Sequence, residues 1–135
     1  MNRDIRVLVG DDSADDRYFI GRAFQKARPD VTVDFARSGD EVIQILEDAS
    51  RAMPSLLIID SMMARKNGFD VVTWLRTKKE FEQMPVVMIS GQLSERNAAR
   101  AQELNVSDYI AKPDDLDSLE NLIEGLARKY LPPAK

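Results

Sequence analysis

The stretch Leu56-Leu57-Ile58-Ile59-Asp60 is an apolar run that ends directly in a carboxylate. Four large apolar residues in succession, two of them β-branched, predict a strand that is buried on both faces of a parallel sheet. The residues from Ser61 to Gly68 are typical of a loop, so Asp60 stands at the carboxyl end of this strand, where open α/β sheets place their chemistry. An isolated Asp here would more often start a turn or cap a helix, and the rest of the chain has to decide its role.

Strand-like and helix-like segments alternate on both sides of this run. Short strands rich in β-branched and aromatic residues are predicted close to residues 5–9, 31–35, 86–89 and 109–111. The spacing of apolar residues predicts helices over residues 14–28, 38–49 and 115–130, a third helix from Gly68 that frays in the charged stretch 78–83, and a fourth that opens at Ser94. Five strands that alternate with five helices through short connections predict a doubly wound α/β fold.

The composition limits the chemistry that the chain can support. At 135 residues it is one domain's worth of sequence, with ordinary shares of hydrophobic (44%) and charged (31%) residues. It has no Cys and no His, which excludes disulfides, thiolate metal sites, His-based catalytic triads and His-ligated zinc. Any catalysis is therefore expected from carboxylates, hydroxyls, lysines or a hard metal ion held by oxygen ligands.

Location and partners are constrained more weakly. No apolar run approaches the length of a membrane span, and the first residues lack a secretory signal pattern, so we expect a cytoplasmic protein without membrane contacts. The formal net charge of −4 argues mildly against non-specific nucleic-acid binding, which needs a basic surface, and no direct nucleic-acid contact is expected.

Polar residues follow four of the predicted strands, at ends that meet around one crevice in a doubly wound sheet. They are Asp11 and Asp12, Asp60, Ser90 and Lys112. Carboxylates placed together repel one another unless a cation neutralises them, and oxygen ligands favour a hard divalent ion such as Mg²⁺. Lys112 adds a second positive charge and Ser90 adds a hydroxyl donor, which suits the site to a phosphoryl group that one carboxylate attacks.

These residues make the chain resemble the receiver domain of two-component response regulators, of which the chemotaxis response regulator is the minimal form. The resemblance covers nearly the whole chain, and its motifs are the acidic pair Asp11-Asp12, Asp60 after an apolar strand, Gly68, Ser90-Gly91 after a second apolar strand, and Tyr109 with Lys112-Pro113. It implies a flavodoxin-like fold with a five-stranded parallel sheet in the order 2-1-3-4-5. A receiver domain over residues 1–131 and a short tail over residues 132–135 are expected.

The resemblance implies a phosphoacceptor and a metal site. Asp60 would accept a phosphoryl group from a sensor histidine kinase or a histidine phosphotransfer protein, and Mg²⁺ would be the cofactor. Asp11, Asp12 and Asp60 would bind the metal ion, with the backbone carbonyl of Met62 as a further ligand. The chain would catalyse only its own phosphoryl transfer and dephosphorylation, and it would not be an enzyme that acts on other substrates.

The resemblance also implies a conformational switch. Ser90 and Lys112 would hold the phosphoryl oxygens, and Tyr109 would rotate into the space that Ser90 vacates. The signal would pass through the surface of the fourth helix, fifth strand and fifth helix to an unknown downstream protein, and a homodimer through the same surface is compatible with this. The fourth helix has a thin apolar face, mainly Ala98, Ala101 and Leu104, and the small residues on it predict that the helix is lightly anchored.

Three positions depart from the family pattern. Ala64 stands where the family usually has Pro, which predicts a more mobile loop. Gly10 stands where the family usually has a larger or acidic residue. Met62 cannot hydrogen-bond to an attacking water through its side chain, so slow self-dephosphorylation is expected, with Gln92 as the remaining nearby candidate to orient that water.

The residues by themselves leave other functions open. Taken singly, Asp12 could be a helix cap, Ser90 a turn residue, Lys112 a solvated charge and Tyr109 a packed edge-strand aromatic. One alternative is a scaffold that keeps the fold without phosphotransfer. Another is a haloacid-dehalogenase-type phosphatase, which needs a second acid at the position of Met62, and a flavin or nucleotide site would set its phosphate against the acidic pair.

Overall fold

Strands and helices alternate along the part of the chain that the computed structural model describes, residues 5–134; residues 1–4 and 135, the outer ends of the predicted domain and tail, lie outside the described residues. The strands are β1 (Ile5–Gly10), β2 (Val31–Ala36), β3 (Leu56–Asp60), β4 (Val86–Ser90) and β5 (Asp108–Ala111). The helices are α1 (Ala14–Ala27), α2 (Gly39–Glu47), α3 (Gly68–Leu75), α4 (Glu95–Glu103) and α5 (Leu116–Tyr130). No helix within that described part is long and apolar enough to cross a membrane.

The strands form one parallel sheet in the order β2-β1-β3-β4-β5, which confirms the predicted strand order. The central strand, β3, is buried along its whole length. Leu57 and Ile59 belong to a core cluster shared with α2, α3 and α4, whereas Leu56 and Ile58 belong to a second cluster shared with α1 and α5. Because successive strand residues point to opposite faces of a sheet, the continuous apolar run supplies both helical layers with a core.

The helices begin at side chains that accept hydrogen bonds from the first turn. The caps are Ser13, Ser38, Asn67, Ser94 and Asp115. Such caps satisfy backbone N–H groups that have no partner within the helix, and each is worth about 1 kcal/mol. Ser13 matters most for the site, because it starts α1 just after Asp11 and so places the first turn of α1 at the carboxyl edge of the sheet.

The charged stretch after α3 is ordered, which differs from the predicted fraying. Residues Lys79–Phe81 form a 3₁₀ turn. Phe81 is buried, and its ring centroid lies 5.7 Å from that of Trp74. The burial of one aromatic side chain therefore orders a segment whose charged neighbours suggested solvent exposure.

The fourth helix is held mainly at its C-terminal end. Ala101 is the buried residue of α4, in keeping with its thin apolar face. The Arg76 guanidinium, which follows α3, donates hydrogen bonds to the carbonyl oxygens of Leu104 and Asn105 at 2.7 and 2.9 Å. Asn105 adopts a φ of 56°, the left-handed conformation that Asn tolerates at helix ends. The N-terminal end of α4 has no comparable tie from α3 among the described residues.

Candidate functional site

The carboxyl ends of β1, β3, β4 and β5 lie along one edge of the sheet. The register pairs Asp60 with Ile89, so β4 ends one residue beyond β3. Asp11 and Lys112 are the first residues after β1 and β5. The alignment of these strand ends brings Asp11, Asp60 and Lys112, all predicted from the sequence, into direct contact.

The Lys112 ammonium lies among three carboxylates. Its Nζ atom is 2.6 Å from Asp16 Oδ2, 2.9 Å from Asp60 Oδ2 and 3.2 Å from Asp11 Oδ2. Burial alone would lower the pKa of Lys112, but the hydrogen bonds with Asp16 and Asp60 outweigh it and hold that pKa above its ordinary value. Lys112 is therefore a fixed positive charge beside Asp60, as the sequence predicted.

Asp11 is a buried carboxylate with both oxygens engaged. It is 3% exposed, its Oδ1 accepts a hydrogen bond from the Ser13 N–H at 2.9 Å, and its Oδ2 faces Lys112. Burial raises the pKa of Asp11 above its ordinary value, against the opposing effects of the Ser13 N–H and the Lys112 charge. A further cation nearby would strongly stabilise the charged form of a carboxyl group that is buried in this way.

The three carboxylates that were predicted to bind a metal ion lie close enough together to share one ion. Carboxylate oxygens of Asp11, Asp12 and Asp60 all lie within 4.8 Å of one another. Asp11 and Asp60 are buried, whereas Asp12 is exposed and gives the group an opening to solvent. Oxygen ligands in a solvent-accessible group with excess negative charge fit a hard divalent cation such as Mg²⁺.

The loop after β3 holds the Asp60 side chain from its own backbone. The Met62 N–H donates to Asp60 Oδ1 at 3.0 Å, while Lys112 binds the other oxygen. The Met62 side chain is 69% exposed. It leaves the rim of the site, which is the edge of the sheet where β1, β3, β4 and β5 end, open to solvent. Asp60, at 7% exposure, is thus a fixed carboxylate in a largely buried position.

Ser90 is also at the rim, with its hydroxyl fully engaged. It donates to the Gln92 carbonyl oxygen at 2.8 Å and accepts from the Gln92 N–H at 3.3 Å. A second serine, Ser61, is bonded to it with 2.9 Å between the two Oγ atoms. Ser90 is 2% exposed and Ser61 is 0% exposed, so this pair is shielded from water.

The remaining predicted residues stand in contrasting environments. Gln92 is exposed and reaches Ser90 through its backbone groups. Tyr109 pairs with Met88 in the sheet and packs against the cluster shared with α2, α3 and α4. Its hydroxyl is buried and has no hydrogen-bond partner within residues 5–134. A buried hydroxyl without a partner costs about 1–3 kcal/mol, so Tyr109 is held in a position that a local movement could improve.

Two site residues were missed by the reasoning from sequence. The sequence pattern places Asp16 only in the first turn of a predicted helix and Ser61 only in a predicted loop. Asp16 could have been found, because the first turn of a helix that follows β1 borders the same edge as Asp11. The signal for Ser61 is its place directly after Asp60, since the strand pairing continues through a Ser61 N–H bond to the Ile89 carbonyl at 3.0 Å.

Two glycines allow close packing around the rim. A Cβ atom on Gly68 would lie 2.5 Å from the Asp60 carbonyl oxygen, so the loop returns to the end of β3 only with glycine here. A Cβ atom on Gly10 would lie 2.7 Å from Cγ2 of Val42 in α2. The departure at Gly10 therefore has a packing reason in this chain, because α2 lies close to the end of β1.

Comparisons with known proteins agree with this architecture. A family model described as the response regulator receiver domain matches residues 7–124. The chain is similar to the protein-glutamate methylesterase/protein-glutamine glutaminase 3 of Geobacter sulfurreducens, with 34% identity over 111 residues, covering 82% of this chain and 28% of that protein. It therefore spans less than a third of that relative. It is also 22% identical to the probable methanogenesis regulatory protein FilR2 of Methanothrix harundinacea, covering 93% of this chain and 83% of that protein.

Solved structures share the fold. The phosphorylated cyanobacterial phytochrome response regulator RcpA has a TM-score of 0.90 at 23% identity, with 98% of each chain covered. The Mn²⁺-bound response regulator Rcp1 has a TM-score of 0.86 at 21% identity, with 97% of each chain covered. The chemotaxis response regulator CheY4 of Vibrio cholerae has a TM-score of 0.76 at 21% identity, covering 92% of this chain and 99% of that one. These likenesses confirm the predicted flavodoxin-like fold.

Proposed function

The chain belongs to the response regulator receiver domain family, and we propose that it is a phosphorylation-dependent switch whose phosphoacceptor is Asp60. The observation that carries the proposal is the position of this carboxylate, buried at the end of the central strand and 2.9 Å from a lysine ammonium. The phosphodonor is a sensor histidine kinase or a histidine phosphotransfer protein.

The chemistry is attack of an Asp60 carboxylate oxygen on the phosphorus of a phosphohistidine. A new O–P bond forms, the P–N bond breaks, and its electron pair returns to the imidazole of the donor. Met62 N–H and Lys112 fix the two carboxylate oxygens before the reaction, which reduces the entropy cost of reaching the transition state.

Lys112 and Ser90 act on the phosphoryl group itself. Lys112 supplies positive charge where the anionic oxygens arrive, and it is already within hydrogen-bond distance of Asp60. Ser90 supplies a neutral hydroxyl from the end of β4. The site therefore offers one charged donor and one neutral donor from two neighbouring strands.

Magnesium is the proposed cofactor, held by Asp11, Asp12 and Asp60 with the backbone carbonyl of Met62. The carboxylate group fits such an ion, and the related Rcp1 is known in an Mn²⁺-bound form. When bound, the ion neutralises charge that develops on the phosphoryl oxygens. The phosphorylated state of RcpA adds support from another protein of the same fold.

The output of the switch is the surface formed by α4, β5 and α5. Phosphorylation withdraws the Ser90 hydroxyl from Gln92, and Tyr109, whose buried hydroxyl has no partner in the described residues, then moves to a better position. Arg76 keeps the C-terminal end of α4 in place, so the movement concentrates at the N-terminal end of that helix. A downstream protein, or a second copy of the chain, reads the altered surface.

The test is titration with beryllofluoride, a phosphoryl mimic, in the presence of Mg²⁺. Wild type should show saturable binding with amide NMR shifts at Ser90, Tyr109 and along α4. Asp60→Asn, which keeps the shape but not the charge, should show neither. Equal responses from wild type and Asp60→Asn, or no response from wild type, would rule out the proposed switch.

A further inference from the structure

The hydroxyl of Ser61 is a polar group at the rim to which the proposed chemistry gives no role. It is completely buried, and it follows the phosphoacceptor directly in the chain. Its Oγ lies 2.9 Å from Ser90 Oγ. Since successive residues of an extended strand point to opposite faces, Asp60 meets Lys112 on one side while Ser61 meets Ser90 on the other.

The direction of the Ser61–Ser90 hydrogen bond follows from counting hydrogens. A serine hydroxyl has a single hydrogen to donate, and Ser90 donates its own to the Gln92 carbonyl at 2.8 Å. Ser61 is therefore the donor, and Ser90 Oγ is the acceptor. The result is two consecutive hydrogen bonds, in which Ser61 donates to Ser90 and Ser90 donates to the Gln92 backbone carbonyl.

These two hydrogen bonds oppose the movement that is expected of Ser90 on phosphorylation. To donate to a phosphoryl oxygen on Asp60, Ser90 must release the Gln92 carbonyl, because it has no second hydrogen. If Ser90 Oγ moves toward the phosphoryl group, it also leaves Ser61. The Ser61 hydroxyl would then be a buried donor without a partner among residues 5–134, and burial makes such a loss costly.

We propose that Ser61 is a positioning residue that holds Ser90 in its resting orientation and thereby restrains activation. The inference rests on the proposed function, since it concerns how readily Ser90 turns to a phosphoryl group. Ser61 acts through Ser90 and does not itself contact the phosphoryl group. Removal of its hydroxyl takes one hydrogen bond from the resting state. It also removes the buried donor that would lose its partner on activation.

The experiment is a double-mutant cycle on the full chain, with beryllofluoride affinity measured by calorimetry at saturating Mg²⁺. Ser61→Ala should bind beryllofluoride about fivefold more tightly than wild type, the effect of one hydrogen bond. Ser90→Ala should bind more weakly than wild type. In the Ser90→Ala background, Ser61→Ala should have no further effect, because its influence passes through the Ser90 hydroxyl.

The cycle separates positioning from a general structural effect. An unchanged or weaker affinity of Ser61→Ala would overturn the proposal, as would an equal tightening with and without the Ser90 hydroxyl. Ser61→Cys, which keeps a similar volume with a weaker donor, is the second variant and should tighten binding to a smaller extent. If Ser61→Ala does not fold, an affinity of Ser61→Cys at or below that of wild type overturns the proposal instead. Wild type that binds no beryllofluoride would instead refute the proposed function, and the inference with it.

Discussion

The Lys112 ammonium lies closer to the Asp16 carboxylate, at 2.6 Å, than to Asp60, at 2.9 Å. With Asp11 at 3.2 Å, three carboxylates surround this ammonium, and two of them, Asp16 and Asp60, accept hydrogen bonds from it. Lys112 can therefore turn fully to a phosphoryl group only by giving up one of these partners. Asp16, on α1 and 35% exposed, is the partner that lies outside the proposed metal group.

Replacement of Asp16 by Asn should accelerate phosphorylation. The change removes an anion that competes for Lys112 and repels an incoming phosphodonor. Because the Lys112–Asp16 ion pair is partly exposed, we expect the activation free energy of phosphorylation to fall by about 0.5–1 kcal/mol. This corresponds to about a two- to fivefold increase in rate. The measurement is the rate of Asp60 phosphorylation by acetyl phosphate at saturating Mg²⁺, so that a weakened metal affinity does not mask the gain.

Asp15→Asn is the matched control for Asp16→Asn. Asp15 is the exposed neighbour on the same helical turn, and it forms no ion pair with Lys112 among the described residues. Its replacement removes the same charge without freeing Lys112 and should change the rate less than Asp16→Asn does. Equal rates for the two variants would mean that general charge, and not the contact with Lys112, sets the effect.

Met62→Asn should shorten the lifetime of the phosphorylated form. The Met62 side chain is exposed beside Asp60 and offers no hydrogen bond to an attacking water. An amide there can orient that water, and one such hydrogen bond corresponds to about a fivefold faster dephosphorylation. The decay of phosphorylated protein after removal of the donor measures this rate.

An exposed methionine far from the rim provides the control. Met53 is 49% exposed and precedes β3, at the opposite end of that strand from Met62. Met53→Asn makes the same change in side-chain chemistry and should leave the decay rate unchanged. No acceleration by Met62→Asn would assign control of the water to another group, with Gln92→Ala as the next variant to measure.

The backbone arrangement and the central residues of the site were predictable because they depend on strand ends. The apolar runs locate the strands, and parallel strands in register bring Asp11, Asp60 and Lys112 to one edge whatever their side-chain rotamers are. Local patterns thus determine which backbone positions meet. The same reasoning gave the strand order only through the family resemblance, since alternation alone allows several orders.

The contacts that were missed depend on side-chain choices that a sequence pattern does not contain. Lys112 has a flexible stem, and its choice of Asp16 follows from where the first turn of α1 begins. Ser61 required knowing that the β3 pairing continues one residue beyond Asp60. The order of the stretch after α3 was missed for a similar reason. The charged neighbours of Phe81 predicted fraying, and the pattern did not show that the Phe81 ring is buried.

Gly68→Ala should damage both the fold and the site. The added Cβ would lie 2.5 Å from the Asp60 carbonyl oxygen and 3.0 Å from Ser61 Cα, both backbone atoms that cannot turn aside. We expect a loss of about 1–3 kcal/mol in the free energy of unfolding and weaker beryllofluoride binding. Urea denaturation and calorimetry measure the two effects.

Gly125→Ala is the control with the opposite sign. Gly125 lies within α5, and a Cβ atom there has nothing within 4 Å. Ala favours the helix over Gly by about 1 kcal/mol, so this variant should be more stable and bind beryllofluoride as wild type does. A Gly68→Ala variant as stable as wild type would show that the 61–68 loop adapts without strain.

Asp108→Asn should lower stability in a pH-dependent way. Asp108 opens β5, and its carboxylate accepts hydrogen bonds from Tyr130 and Lys129 at the end of α5. Burial alone would raise the pKa of Asp108, but these hydrogen bonds outweigh it and the pKa lies below its ordinary value of 3.8. A carboxyl whose pKa is lower in the folded than in the unfolded state stabilises the fold above its unfolded pKa, and this stabilisation is lost as the pH falls through the folded pKa.

The difference in melting temperature between wild type and Asp108→Asn is therefore measured as a function of pH. At pH 7 the variant should unfold about 2–4 °C below wild type, and the gap should close as the pH falls below 3.8, where the wild-type carboxyl takes up its proton. Tyr130→Phe should reproduce part of the loss at pH 7. Asp114→Asn, an exposed acid just before α5, should have little effect at any pH. A gap between wild type and Asp108→Asn that stays constant down to pH 2 would show that the β5–α5 contact is insensitive to this charge.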